Sequence, residues 1–314
     1  LDRLNGAAHP ACKGDDHARL DGTDPMTLEQ LRIFVGVAER EHMTRAAEAL
    51  HITQSAVSAA IKTLEERHNV PLFHRIGRRI ELTDAGRLFL VEARAVLGRA
   101  ASAERTLAEF GGLERGTLTL VASQTIAGYW LPPFLARFRR RYPGIAVTLS
   151  IGNSEQAADR VREGSAELGF VEGLIDDPAL ARWTVGHDDL ALVGSEAAPG
   201  GADRDWLVSV PWVLREEGSG TRSTFEAALA PLGLTLADLD VILTLPSNEA
   251  VRSAVSAGAG HTLISTLVVE PLLRAGRIQR TAFDLEPRPF YGLRHKERYR
   301  GKAGDALLAM IERG

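Results

Sequence analysis

Residues 43–65, MTRAAEALHITQSAVSAAIKTLE, read as a helix, a tight turn and a second helix. Ala46 and Ala47 are small where the first helix would press on the second. Ile52 is an apolar staple in the turn, and Thr53 or Gln54 can cap the helix that follows. Val57, Ile61 and Leu64 recur at spacings of four and three, one buried face of a helix. The opposite face carries Gln54, Ser55, Ser58, Ala59 and Lys62, side chains that let a helix approach a surface closely. Held at an angle by a helical scaffold, such a helix fits the major groove of DNA. Leu28, Leu31, Phe34, Val35 and Val37 supply an apolar partner just upstream. A helical hairpin inside an unrelated core is the competing reading.

Val70-Pro71-Leu72-Phe73 comes next, then His74, Arg75, Arg78 and Arg79, then Ile80-Glu81-Leu82-Thr83. This reads as a short hairpin, with Gly77 permitting the turn and cations at the tip. Such a wing tracks the phosphate backbone beside the groove. A charge run is more often a solvated face, but this one directly follows a recognition-type helix. The footprint is local: Glu41, Glu48, Glu65 and Glu66 offset it, and the whole chain has a formal net charge of −4.

Thr83 caps a long helix that has Asp84 in its first turn. Leu90, Ala93, Leu97, Ala100, Glu104 and Leu107 step along it by threes and fours, a heptad seam suited to a two-stranded coiled coil. Packing on its own globular domain is the alternative. Dimerisation is preferred, because the helix joins two segments of different composition and ends at Gly111-Gly112. Two copies would then place two reading heads on one DNA.

The stretches LEQLRIFVGVAE, TRAAEALHITQSAVSAAIKTLEE and PLFHRIGRRIELTDAGRLFL, with the helix after them, resemble the winged helix-turn-helix and linker helix of LysR-type transcriptional regulators. Many members carry Pro after the turn Gln and a long polar residue after the Ser of the second helix. This chain has Ser55 and Ala59 there. The DNA contacts expected from this reading are Thr44, Arg45, Thr53, Gln54, Ser55, Ser58 and Lys62 in the helix-turn-helix and Arg75, Arg78 and Arg79 in the wing. Ala59 would at most touch a thymine methyl. The resemblance implies promoter DNA, a second copy of the chain (homodimer, then homotetramer) and RNA polymerase as partners, and more often activation than repression.

Residues 1–25 fall outside the pattern and read as a disordered extension, or as an artefact of cloning or of a misplaced start. They show no signal peptide, and the chain shows no apolar run of membrane-spanning length. Cys12 is the only cysteine, so an intrachain disulfide is excluded, which suits a reducing cytoplasm. The length of 314 residues suggests two or three domains. The expected division is 26–85 for the winged head, 86–112 for the linker helix, 117–188 with 286–314 for one α/β subdomain, and 189–285 for a second.

From residue 117 onward, strands and helices alternate. Strands are expected at 117–122, 146–151, 168–171, 191–193, 212–214, 241–245 and 262–265. Helices are expected at 130–142, 156–163, 221–229, 248–257 and 268–275. This alternation implies parallel sheets flanked by helices. The family's effector domain is similar to type 2 periplasmic binding proteins, which implies two crossings between subdomains, near 185–190 and 283–289, and a return of the tail from Phe290.

Ligand chemistry belongs where strands end and helices begin. Ser123-Gln124-Thr125, Gly152-Asn153-Ser154, Glu217 to Arg222 (EGSGTR) and Pro246-Ser247-Asn248 are such places. Each alone is a plain helix cap; together on one cleft they offer hydroxyls and free amides to an anion. The expected effector contacts are Ser123, Gln124, Thr125, Asn153, Ser154, Glu172, Ser219, Thr221 and Asn248. Arg222 could add charge, although its place inside a helix can point it elsewhere, and Glu172 and Glu217 favour an amine or repel an anion. GNSEQ, ELGFVEG, EGSGTR and SNEAVRSAV most resemble the sulfur-assimilation and carbon-fixation members of the family. That points to a small inorganic oxyanion or a phosphorylated or carboxylated metabolite, with no cofactor and no metal. A solute receptor without DNA function is the runner-up, and a two-domain α/β enzyme the last option. His187, Asp188 and Asp189 form a tempting acid–base cluster, but exposed hinge residues are the better account. No GxSxG, GxxxxGK[ST], HExxH or CxxC occurs.

Overall fold

The computed structural model describes residues 25–76, 79–109 and 116–313; the expectations for residues 1–24, Gly77, Arg78 and Gly111-Gly112 lie outside them. The chain forms two compact units, one ending at Leu90 and one beginning at Val91.

The first unit opens with α1 (Leu28–Arg40), α2 (Met43–Leu50) and α3 (Gln54–His68). Thr27 and Gln30 form a capping box at α1, and Thr53 accepts the Ala56 N–H at the start of α3. His51, in the left-handed region at φ 57°, makes the turn between α2 and α3. Strands β1 (Phe73–Ile76) and β2 (Arg79–Leu82) pair antiparallel as the wing, with Phe73 opposite Leu82. Leu31, Phe34, Val37, Val57, Ile61, Leu64, Leu72, Phe73 and Ile80 are buried together as the core residues of this unit. Phe34 packs on Phe73 and Phe89 at centroid distances of 5.5 and 4.7 Å. Leu28 is 41% exposed, whereas Ile33 and Ala38 are buried, so the apolar face of α1 differs from the one expected. Leu28 is the first helical residue, and its turn overhangs the end of the packed stripe.

Helix α4 (Asp84–Glu109) begins with Thr83 Oγ1 accepting the Gly86 N–H at 2.9 Å. A Cβ at Gly86 would lie 2.1 Å from the Leu72 carbonyl oxygen, so only glycine lets the wing cross here. Along the expected seam, Ala93 is buried, Leu90, Leu97 and Ala100 are half-buried, and Leu107 is 74% exposed.

In the second unit, one sheet has the order β4-β3-β5-β12-β6. It is built from β3 (Gly116–Ala122), β4 (Ile145–Ile151), β5 (Leu168–Val171), β6 (Leu180–Asp188) and β12 (Arg288–His295). The first three are parallel; β12 runs antiparallel to both β5 and β6. Strand β6 was not expected. Its alternation of exposed and half-buried residues follows from an edge position that buries only part of one face. Helices α5 (Pro132–Arg141), α6 (Ser154–Glu163) and α11 (Lys302–Glu312) belong to this lobe. Helix α5 falls within the helix expected at 130–142, and an unexpected π-helical turn, Ile126–Trp130, precedes it. Pro132 and Pro133 have no N–H to donate back, which breaks the α ladder there.

The other lobe splits its strands. β7 (Leu190–Gly194) pairs antiparallel with β10 (Thr262–Ser265) and β11 (Gln279–Thr281), while β8 (Pro211–Arg215) and β9 (Asp240–Leu245) are parallel. The expected parallel pairing holds for β4, β3 and β5 of the first lobe, whereas this lobe is mixed, since β10 and β11 return against β7. Helices α7 (Arg204–Ser209), α8 (Gly220–Leu229), α9 (Asn248–Ser256) and α10 (Thr266–Arg274) flank these strands. Separate apolar clusters centred on Phe170 and Phe290 in one lobe and Trp212 and Phe225 in the other leave polar loop ends between them.

Candidate nucleic-acid interface and ligand cleft

Burial of Val57, Ile61 and Leu64 turns the other face of α3 outward. Thr53, Gln54, Ser55, Ala59 and Lys62 are exposed, and Ser58 is half-buried. Their contacts are short-range and solvated. Gln54 Nε2 donates to Ser58 Oγ at 3.2 Å, Thr53 and Ser55 hydroxyls meet at 3.0 Å, and Lys62 lies 3.4 Å from Glu66. Exposed pairs of this kind contribute at most about 1 kcal/mol, so base edges and phosphates can replace them at little cost. Thr44 and Arg45 are exposed on α2. Arg75 and Arg79 lie on β1 and β2. Their side chains, and all of Arg78, lie outside the described residues. Glu65 does more than dilute charge: its Oε1 accepts the N–H groups of Leu72 and Phe73 at 2.8 and 3.2 Å, tying the wing to α3.

In the second unit the strand ends converge, and three of the expected ligand contacts, Gln124, Thr125 and Asn248, bond to each other across the cleft. Gln124 donates to the Pro246 carbonyl at 2.9 Å and accepts the Asn248 N–H at 2.8 Å. Asn248, fully buried, donates to Thr125 Oγ1 at 3.1 Å. Asn153 caps α6 and sends Nδ2 to the Glu217 carbonyl at 3.1 Å. Ser154 Oγ accepts the Gly173 N–H at 3.2 Å. Tyr129 donates to Glu249 at 3.2 Å, and burial with the Glu249 charge raises its phenol pKa. Ser123 is buried with its Oγ unpartnered among the described residues. Ser154 and Ser219 line a cavity of about 230 Å³, rimmed by Glu155, Glu217, Arg222 and Glu226. Arg222 pairs with Glu226 at 3.0 Å, so its charge is already engaged.

Two buried guanidiniums were not anticipated. Arg215 donates to Asn248 Oδ1 at 2.5 Å and to both oxygens of Glu216 at 2.7 and 2.9 Å. Arg288 grips Asp188 Oδ2 through Nε and Nη2 at 2.8 and 2.6 Å, donates Nη1 to Thr221 Oγ1 at 3.2 Å, and lies 3.8 Å from Glu172. Ser265 donates to the other Asp188 oxygen at 2.7 Å. Burial raises the Asp188 pKa above the usual carboxylate value, opposed by Arg288 and the Ser265 hydroxyl. The expectation of exposed hinge residues therefore fails for Asp188, which is 3% exposed, while His187 and Asp189 are exposed. Asp188 ends β6 facing inward, and the chain enters β7 two residues later. The arginines at a strand end and a strand start carry no local signal of this role; only the fold brings them to the cleft.

Comparison with known proteins supplies independent support. Residues 28–87 match the family described as "Bacterial regulatory helix-turn-helix protein, lysR family", and 111–314 match "LysR substrate binding domain". The chain is 32% identical over 289 residues to the "Uncharacterized HTH-type transcriptional regulator YeiE" of Escherichia coli (strain K12), covering 88% of this chain and 94% of that protein. It is 30% identical to a "Probable RuBisCO transcriptional regulator" of Nostoc sp. (strain PCC 7120), covering 91% of this chain and 88% of that one. It is 33% identical to the "HTH-type transcriptional activator CmpR" of Synechocystis sp. (strain PCC 6803), covering 76% and 79%. Among solved structures it resembles CbnR, a LysR family transcriptional regulator, with a TM-score of 0.65 at 20% identity, covering 92% of this chain and 99% of that one. Full-length CbnR bound to its target DNA gives a TM-score of 0.64 at 22% identity, with the same coverage.

Proposed function

The chain belongs to the LysR family of DNA-binding transcriptional regulators, and on that premise we propose that it is an activator whose DNA-binding state is set by a small anionic effector held between its two α/β lobes. The observation that carries the reading is the pairing, on one chain, of a recognition helix with a solvent-facing polar stripe and a two-lobed unit whose helix starts face one cleft. The start of α8, which has no side-chain cap, offers amides that favour an anion, as helix N-termini do generally, whereas the starts of α6 and α9 are already capped by Asn153 and Ser247. An inorganic oxyanion or a phosphorylated or carboxylated metabolite fits. Arg215 and Arg288 are already paired with carboxylates, so the attraction must come mainly from helix ends and hydroxyls.

Activation is the reading favoured by the relative named as a transcriptional activator, and RuBisCO regulators among the relatives favour the carbon-fixation side of the expected subgroup. The half-exposed apolar residues of α4, ending in Leu107, favour a homodimer through this helix, with a homotetramer built from two such pairs. RNA polymerase is the further partner an activator requires. As a regulator that must reach promoter DNA, the protein acts in the cytoplasm, without catalysis, cofactor or metal.

A thermal-shift titration with sulfate, sulfite, thiosulfate, phosphate, acetylserine, sugar phosphates and nicotinamide nucleotides tests the effector reading. A saturable rise in Tm for one compound, reduced in Thr125→Ala and Ser219→Ala, supports it through binding linkage. A rise that survives both substitutions moves the site out of the cleft.

A further inference from the structure

We propose that α6 transmits lobe movement at the cleft to the long helix α4, through a seat made by Gly98, Arg94 and Glu163. The proposal rests on the reading that the cleft controls the DNA-binding heads, and it assigns the route.

The two ends of α6 touch the two things such a route must join. At its start, three successive residues meet the other lobe or its close neighbour. Asn153 Nδ2 bonds the Glu217 carbonyl at 3.1 Å, the Glu155 N–H faces the Gly218 carbonyl at 3.4 Å, and Ser154 Oγ holds the Gly173 N–H. The lobes are so close that a Cβ on Gly220 would lie 2.6 Å from the Gly173 nitrogen and 2.7 Å from Ser154 Oγ. Any rotation of the second lobe must therefore be felt by the first turn of α6.

At the other end, α4 lies on the last turn of α6. A Cβ at Gly98 would lie 2.4 Å from the Glu163 carbonyl oxygen and 2.9 Å from the Gly164 Cα, so backbone meets backbone with no side chain between. Arg94, four residues earlier on α4, reaches the buried Glu163 carboxylate at 3.5 Å. Arg298 closes the same helix end, donating to the Val161 and Arg162 carbonyls at 2.7 Å each.

Between its ends α6 is stiff. A capping box fixes its start, Gly164 in the left-handed region fixes its stop, and Ala157, Ala158 and Val161 pack its inner face into a buried cluster with Val121 and Val171. Its ten residues span about 15 Å at the standard helical rise. A short rod packed along one face shifts as a body, and close-packed seats switch between discrete arrangements more readily than they deform. Helix α4 also carries Gly86 and Phe89, which pack in the DNA-binding unit.

Hydrogen exchange on the full chain, read by mass spectrometry over 91–107 and 154–163, tests this without the effector or the operator. Gly220→Ala is the input, a one-methyl wedge at the cleft end of α6. The expected result is a change of at least about fivefold in exchange over 91–107, the lower end of coupling between linked sites. The same wedge should have no effect there once Gly98→Ala or Arg94→Ala has unseated α4. Should Gly220→Ala fail to fold by circular dichroism, Asn153→Ala supplies the input, and Glu163→Gln is the mildest output variant. Exchange over 91–107 that ignores the wedge while 154–163 responds overturns the proposal. So does a response that persists unchanged with Gly98→Ala. A cleft that binds none of the screened compounds in the thermal-shift titration would count against the effector reading alone and would leave this exchange result as it stands.

Discussion

Replacing Arg288 by methionine gives the most direct measure of what holds the two lobes in register. Arg288 is 4% exposed, and its substitution would strand the Asp188 carboxylate, itself 3% exposed, with only the Ser265 hydroxyl as partner. It would also remove the donor to Thr221 and the cation beside Glu172. Removing one partner from a buried ion pair costs about 3–5 kcal/mol, because the remaining charge stays desolvated. For a unit of this size each kcal/mol moves Tm by about 2–4 °C, so R288M should melt roughly 6–20 °C below the parent at pH 7. The pH dependence supplies the sharper test. Asp188 already has a raised pKa in the folded state from burial, and Arg288 is the main influence lowering it. A carboxyl whose folded pKa exceeds its unfolded value of about 3.9 contributes most at low pH, and that contribution is lost as pH rises through the folded pKa. Loss of Arg288 raises the folded value further and widens the window. The deficit of R288M against the parent should therefore be full at pH 7 and shrink as pH falls toward about 4. Adding Asp188→Asn should recover part of it at pH 7. Urea unfolding of both proteins across pH 4–8 is the assay. A deficit under about 1 kcal/mol at pH 7, or one that grows on acidification, would refute the claim that this pair is a buried and charged hinge tie.

Three further outcomes test the DNA-binding unit. Lys62→Ala should weaken operator binding and reduce the slope of log K against log salt by about 0.9, as loss of one phosphate contact does, with the melting of the second unit unchanged; an unaltered slope removes Lys62 from the phosphate contacts. Ser58→Ala should weaken operator binding without a matching change in salt slope, in a filter-binding or anisotropy titration. Gly86→Ala should destabilise the winged unit by about 1–3 kcal/mol in denaturant, because the new methyl meets the Leu72 carbonyl rather than a side chain that can turn away; a neutral result would mean that the wing and α4 do not cross so closely.

The winged head was legible in the residues because its signals are local. Val57, Ile61 and Leu64 mark one face, Thr53 and Thr83 mark helix starts, and each acts within a turn or two of itself. Strand β6 was not, because an edge strand that buries half of one face shows neither a continuous apolar run nor a clean alternation. The π-helical turn at Ile126–Trp130 followed from two prolines whose effect depends on where the preceding helix begins. The loop ends at Ser123, Asn153, Ser219 and Asn248 could be picked out as strand-to-helix junctions. That Asn153 and Asn248 would bond across to the Glu217 carbonyl and to Thr125 depends on how far the lobes close, and no local pattern encodes that distance.

The charges in the cleft carry the same lesson further, and they narrow what an effector can do there. Arg215 ends one strand, Arg288 begins another, and Asp188 ends a third; in sequence each looks like an ordinary boundary residue. In the fold each arginine is consumed by a carboxylate, and Asn248 and Thr221 bind to those arginines from the second lobe. A ligand entering the cleft therefore meets a floor that is already neutralised and hydrogen-bonded. To bind, it must displace lobe-to-lobe bonds such as Asn153 to Glu217 or Gln124 to Pro246, or use what is left over, the Ser123 hydroxyl and the amides at the uncapped start of α8. Each displaced bond is one that sets lobe spacing, so binding and lobe movement share the same atoms. An effector need not push the lobes apart by bulk: exchanging one or two of these bonds, each contributing about 1 kcal/mol, is enough to shift an equilibrium between two lobe positions several-fold.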